Sequence, residues 1–146
     1  MRSEGDGGTA GSTDCVQAYD PHNATVCVVD DDPAVRSAMI NLLEASGFNA
    51  LVFDSGEAFF ASAHLKTIDF AVFDIKLRGM DGFAIQERCV ALGLDLPVLF
   101  ISGHGGHDME QRALQAGALA LLRKPVDPEL LCAYMEDRLG TCRVPS

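Results

Sequence analysis

The sequence has no apolar run approaching the ~20 residues that a membrane-spanning helix needs, so no membrane span is expected. Arg2 has no apolar block behind it, and the layout of a secretory signal is missing. Together these absences point to a cytoplasmic protein. The cysteines (Cys15, Cys27, Cys89, Cys132 and Cys142) are odd in number, widely spaced, and form neither a CxxC nor a Cys/His cluster. Free thiols are therefore expected, with Cys27 a small core residue in a strand. Basic residues are also scarce: 11 Lys and Arg face 21 Asp and Glu, for a net charge of −10, and no window is basic. A general electrostatic grip on nucleic acid is excluded, and the acidic balance favours protein partners or cations.

What is present suffices for one two-sided core, since 48% of the 146 residues are hydrophobic. Residues 1–24, with Gly5, Gly7, Gly8 and Gly11 among small polar residues, have too little to bury and are expected to be a flexible tail. Residues 140–146 are a short polar end. Thr25 to Val29 is a β-branched strand that runs into Asp30-Asp31-Asp32. Asp32 as N-cap with Pro33 behind it starts a helix, in which Val35, Ala38, Met39, Leu42 and Leu43 recur at helical spacing up to Gly47 as C-cap. Phe48 to Phe53 is a second strand, and Ser55 caps a helix through Ala63.

Phe70 to Phe73 is the most continuously apolar strand, and it stops on a carboxylate, Asp74. After a loop from Ile75 to Asp81, a helix opens at Gly82 with an apolar face of Phe83, Ile85, Cys89 and Val90. Pro97 to Ile101 is the fourth strand, followed by a Gly-rich turn, Ser102 to Gly106, and by a helix from His107 to Ala116 in which Met109 and Leu114 read as core. Leu119 to Leu122 is the fifth strand. Asp127-Pro128 repeats the cap-plus-proline start for a helix carrying Leu130, Leu131, Tyr134 and Leu139. Five strands alternating with five helices on short connections specify a single α/β domain, a doubly wound (βα)5 parallel sheet of order 2-1-3-4-5.

In that topology all strands end on one face. Asp30 and Asp31 follow strand 1, Asp74 strand 3, Ser102 strand 4 and Lys124 strand 5. Crowded carboxylates resist ionising unless a cation answers them. Mg²⁺ suits the task, taking one or two carboxylates together with phosphate oxygens. The chain has three lysines, and Lys124 falls where it pairs with Asp74 and neutralises a phosphoryl oxygen. Asp74 is then the nucleophile, because carboxylates form aspartyl phosphates. Each residue also has an ordinary reading as a cap, a turn residue or a surface charge. Their joint arrival at four strand ends singles them out. A zinc reading of His104, His107 and Asp108 lacks a further close ligand.

Val28-Val29-Asp30-Asp31-Asp32-Pro33, Asp74 with Gly79-Met80-Asp81-Gly82, Ile101-Ser102-Gly103-His104 and Lys124-Pro125 together resemble the receiver domain of two-component response regulators, of the FixJ-like subgroup, over residues 25–139. The resemblance implies a flavodoxin-like fold and a regulatory phospho-acceptor rather than an enzyme. It implies Asp74 as acceptor of a phosphoryl group from a sensor histidine kinase or phosphotransfer protein, and Mg²⁺ held by Asp30, Asp31, Asp74 and the backbone carbonyl of Lys76. Ser102 would be the switch hydroxyl, Lys124 the lysine of the family, and Lys124-Pro125 a cis peptide. Lys76 and His104 would influence the attack of water on the acyl phosphate. Partner contacts, including a homodimer, would form on the face of helix 4, strand 5 and helix 5, with no nucleic acid bound through this domain and no membrane. One departure stands out. Leu121 occupies the place of the family's aromatic switch residue, so coupling must run through Ser102, Gly103, His104 and the pliable turn after strand 4.

Two other functions share the topology. A phosphohydrolase working through an aspartyl phosphate wants a second Asp two residues after the nucleophile, where this chain has Lys76. A flavin carrier wants a Ser/Thr/Gly cradle after strand 1, where this chain has three acids that repel phosphate.

Overall fold

A computed structural model describes residues 22–103 and 106–140. Most of both expected tails, Cys15, Cys142 and His104 lie outside the described residues. Strand β1 (Thr25–Val29) leads into helix α1 (Pro33–Ala45), β2 (Asn49–Phe53) into α2 (Gly56–Ala61), and β3 (Phe70–Asp74) into α3 (Gly82–Ala91). Then come β4 (Val98–Ser102), α4 (His107–Gln115), β5 (Ala120–Arg123) and α5 (Pro128–Leu139). The strands form one parallel sheet in the order β2-β1-β3-β4-β5. The three inner strands are buried along their whole length and the two outer ones only partly. That contrast explains why the inner strands read as unbroken apolar runs.

Alternation along each strand divides the core into two layers. Val26, Val28, Phe70, Val72, Leu99 and Ile101 face α1 and α5, where they meet Met39, Leu43, Leu131 and Met135. Cys27, Val29, Ala71, Phe73, Val98 and Phe100 face the other way, toward Phe59 of α2, Phe83, Ile85 and Cys89 of α3, and Ala113 of α4. The second layer is bound by aromatic contacts running Phe53–Phe59–Phe73–Phe100–Phe83 with centroids 4.9 to 6.5 Å apart. Arg112 of α4 lies over the Phe83 ring at 4.0 Å. Each wholly buried ring, Phe59, Phe70, Phe73 or Phe100, stabilises the fold by about 2–3 kcal/mol.

Helix starts follow the expected chemistry. The side chains of Asp32, Ser55 and Asp127 accept backbone N–H groups of Ala34, Ala58 and Glu129 at 2.9–3.0 Å, and Pro33 and Pro128 occupy the first turns. Asp81 caps α3 through Ala84 N–H at 2.8 Å, where the sequence reading had only a loop end. α1 closes on Ser46, with Gly47 following at φ 87°, one residue from the expected cap. α2 stops at Ala61 instead of Ala63. Ser62 is extended there and its hydroxyl takes the amide of His64 at 3.0 Å, after which Leu65–Thr67 forms a 3-10 turn.

Three large apolar residues that the sequence places on helix stripes are on the surface instead, Val90 65% exposed, Leu114 46% and Leu130 44%, and the small Ala38 is exposed too. Val90 and Leu114 come one residue after buried Cys89 and Ala113, and Leu130 one residue before buried Leu131; one residue of α-helix turns a side chain by about 100°. Met109 packs at the edge of the aromatic layer, as expected. Cys27 and Cys89 are buried free thiols and Cys132 a half-buried one. Burial raises Cys27 above the usual thiol range and Cys89 to about 11, which keeps both protonated and inert at neutral pH. No helix among the described residues is long and apolar enough to cross a membrane.

Candidate functional site: an acidic rim with a shared lysine

Parallel strands deliver their last residues to one edge, so Asp30, Asp74 and Ser102 arrive together, 0%, 3% and 4% exposed. Lys124, just past β5, reaches in from the side. Its Nζ stands 2.9 Å from Asp30 Oδ2 and 3.0 Å from Asp74 Oδ2. The expected pairing with Asp74 is present, and the equal contact with Asp30 was not foreseen. The lysine's own N–H donates to the Ser102 carbonyl at 2.9 Å, tying the ammonium's strand to the end of β4. The Lys124–Pro125 bond is cis, as the resemblance implied.

Asp30, Asp31 and Asp74 each offer a carboxylate oxygen within 4.8 Å of the others. Asp30 Oδ1 accepts the Asp32 N–H at 2.9 Å, and Asp74 Oδ1 accepts the Lys76 N–H at 3.2 Å. Asp30 Oδ2 is fully buried and makes no aligned hydrogen bond, so the ammonium beside it answers only its charge. Three carboxylates thus face one lysine. Burial above all, and then the charge of Asp30, push the Asp74 carboxyl up from the usual range, against the pull of Lys124 and the Lys76 N–H. Burial alone would lower the Lys124 ammonium, but its contacts with Asp30 and Asp74 outweigh that and hold it above its usual range.

This donor set fits a hard divalent cation. It is all oxygen, its charge is undercompensated, and one of its buried oxygens has no hydrogen-bond partner. Lys76 itself is exposed, and its backbone follows Asp74 by two residues. The loop from Lys76 to Asp81 is closed at its base, where Gly82 N–H donates to the Ile75 carbonyl at 3.0 Å. A Cβ at Gly82 would sit 2.6 Å from the Asp74 carbonyl oxygen, so only glycine lets α3 approach the acidic strand end this closely.

Of the expected switch residues, Ser102 is buried at the strand end and Gly103 is exposed with open space around it. Leu121 is half-buried against the aromatic layer. His107 and Asp108, the remaining zinc candidates, are exposed at the start of α4, and among the described residues only the acidic rim groups three possible ligands. Arg36 was missed altogether. Its Nη1 donates to the Asp30 carbonyl at 2.8 Å, a contact signalled in sequence only by an arginine one turn into α1.

Residues 26–136 match the family described as the response regulator receiver domain. FixJ, a transcriptional regulatory protein of Bradyrhizobium diazoefficiens, is 31% identical over 114 residues, which are 78% of this chain and 56% of FixJ. Nodulation protein W of the same organism is 35% identical over 77% of this chain and 50% of its own length. The chain therefore spans about half the length of these curated relatives. Among solved structures, the response regulator StyR superposes with a TM-score of 0.73 at 36% identity, covering 80% of this chain and 59% of that one. The chemotaxis protein CheY4 of Vibrio cholerae, at 24% identity and a TM-score of 0.73 over 80% of this chain and 99% of its own, shares the fold.

Proposed function

The chain belongs to the response regulator receiver domain family of two-component signalling, and from that premise we propose that residues 25–139 form a receiver unit that takes a phosphoryl group on Asp74. The observation that carries this reading is the ammonium of Lys124 set between Asp30 and Asp74 at 2.9 and 3.0 Å on a rim with a third acid. A carboxylate oxygen of Asp74 attacks phosphorus, the bond from phosphorus to the histidine nitrogen of a kinase or phosphotransfer protein breaks, and the nitrogen keeps the electron pair. Lys124 neutralises charge on the transferred oxygens, and Ser102 supplies a hydroxyl at the adjacent strand end. Asp30, Asp31, Asp74 and the carbonyl of Lys76 would hold Mg²⁺, which when bound supplies positive charge to the phosphoryl oxygens.

Phosphorylation adds negative charge beside Ser102 and Gly103, and the turn to α4 relays it. Leu114 on α4 and Leu130 on α5, both exposed, support the face of α4, β5 and α5 as the surface for a partner or a second copy. The acidic net charge supports protein contact there rather than nucleic acid, and the setting is the cytoplasm. A phosphohydrolase is disfavoured because Lys76 stands where its general acid belongs. Incubation with Mg²⁺ and a small acyl phosphate should add one base-labile phosphoryl group by mass. Asp74→Asn should add none, and an unmodified wild type would overturn the reading.

A further inference from the structure

Among the described residues, Asp31 is the one acid of the rim that no hydrogen bond or ion pair holds. Asp30 and Asp74 are each fixed by a backbone N–H and by Lys124, whereas the Asp31 carboxylate, half-exposed, makes no hydrogen bond or ion pair among the described residues. With no bond on the carboxylate, the backbone alone fixes the Cα–Cβ bond from which it reaches the rim. That backbone is gripped at three points: Asp30 N–H donates to the Phe53 carbonyl at 3.1 Å, Asp32 N–H to Asp30 Oδ1 at 2.9 Å, and Arg36 Nη1 to the Asp30 carbonyl at 2.8 Å. Among the described residues, the last is the only side-chain grip on the Asp30–Asp31 peptide itself.

The choice of acceptor is informative. Arg36 follows Asp30, Asp31 and Asp32 by four to six residues, yet its guanidinium forms no salt bridge among the described residues and bonds a neutral carbonyl instead. An arginine placed to cancel acidic charge would take a carboxylate in its bidentate fork. Arg36 leaves the carboxylates to face the rim and fixes the peptide between them.

We propose that Arg36 is a positioning residue of the cation site, which holds the Asp30–Asp31 peptide so that the Asp31 carboxylate converges with Asp30 and Asp74. The inference rests on the reading of the rim as a Mg²⁺ site. It makes a prediction opposite in sign to simple electrostatics. Removing a positive charge from beside a cation site should tighten cation binding, while removing a positioning bond should loosen it, by about tenfold where outer contacts of this kind are lost.

Mg²⁺ titration calorimetry on the whole chain separates the two, with Arg36→Met keeping the apolar stem and Arg36→Lys keeping the charge. The expected result is a Mg²⁺ affinity about tenfold weaker in Arg36→Met and intermediate in Arg36→Lys, with unchanged melting in chelator. An affinity equal to or tighter than wild type in Arg36→Met overturns the proposal. Should that variant not fold, Arg36→Lys decides, because wild-type affinity there leaves charge as the whole role. A wild-type chain that binds no Mg²⁺ overturns the rim reading as well, whereas normal wild-type binding with unaltered variants overturns only the role of Arg36.

Discussion

Phe73 and Asp74 are consecutive residues of β3, 0% and 3% exposed, and their consequences for the fold are opposite. Phe73 meets Phe59 and Phe100 in the aromatic layer, so its depth is a gain. Asp74 at the same depth holds a charge that burial resists and that Lys124 relieves only in part, since Asp30 claims the same ammonium. The interior of the sheet stabilises the protein, and the rim holds charge in a form available for chemistry at some cost to stability.

Substitutions on either side of that boundary should separate the two roles. Phe73→Ala should cost about 3–5 kcal/mol in denaturant unfolding, from lost burial and the cavity left behind. Lys124→Met leaves Asp30 and Asp74 buried without their cation and should cost about 3 kcal/mol, with acyl-phosphate labelling of Asp74 falling sharply as well. Gly82→Ala forces a methyl against the Asp74 carbonyl and should cost about 2 kcal/mol, and slowed labelling would locate the strain at the rim. Asp74→Asn should do the reverse and stabilise the metal-free protein by about 1 kcal/mol at neutral pH.

The pH dependence fixes the sign of that last effect. The folded Asp74 carboxyl keeps its proton to a higher pH than the ordinary 3.8. Wild type therefore loses stability as pH climbs from 3.8 through the raised value, whereas asparagine has no proton to lose. Thermal melts in chelator should show the two converging in acid and Asp74→Asn pulling ahead above it; a constant gap would mean that burial of the charge is not the cause. At the small end, Val90→Ser should change stability by less than about 0.5 kcal/mol.

The same boundary marks what could be read from sequence. β1, β3 and β4 announce themselves because strands buried on both faces must be apolar throughout, and Asp30, Asp74, Ser102 and Lys124 are legible because a parallel sheet sends every strand end to one edge. The caps at Asp32 and Asp127 are local chemistry, visible without a fold. What escaped depends on side chains crossing between elements: Arg36 turning back to the Asp30 carbonyl, Lys124 dividing itself between two acids, Gly82 against the Asp74 carbonyl. Val90, Leu114 and Leu130 escaped because helical spacing gives a stripe but not its edges, and which neighbour covers an edge is settled only by packing.

The bond from Gly82 N–H to the Ile75 carbonyl makes the segment between them a latched handle. Arg78 and Gly79 at its tip are exposed, and lengthening a loop whose ends are already joined costs only about 0.6 kcal/mol per doubling. A foreign peptide grafted between those two residues should leave Asp74 and α3 where they are, giving an outward-facing attachment point one loop away from the acidic rim.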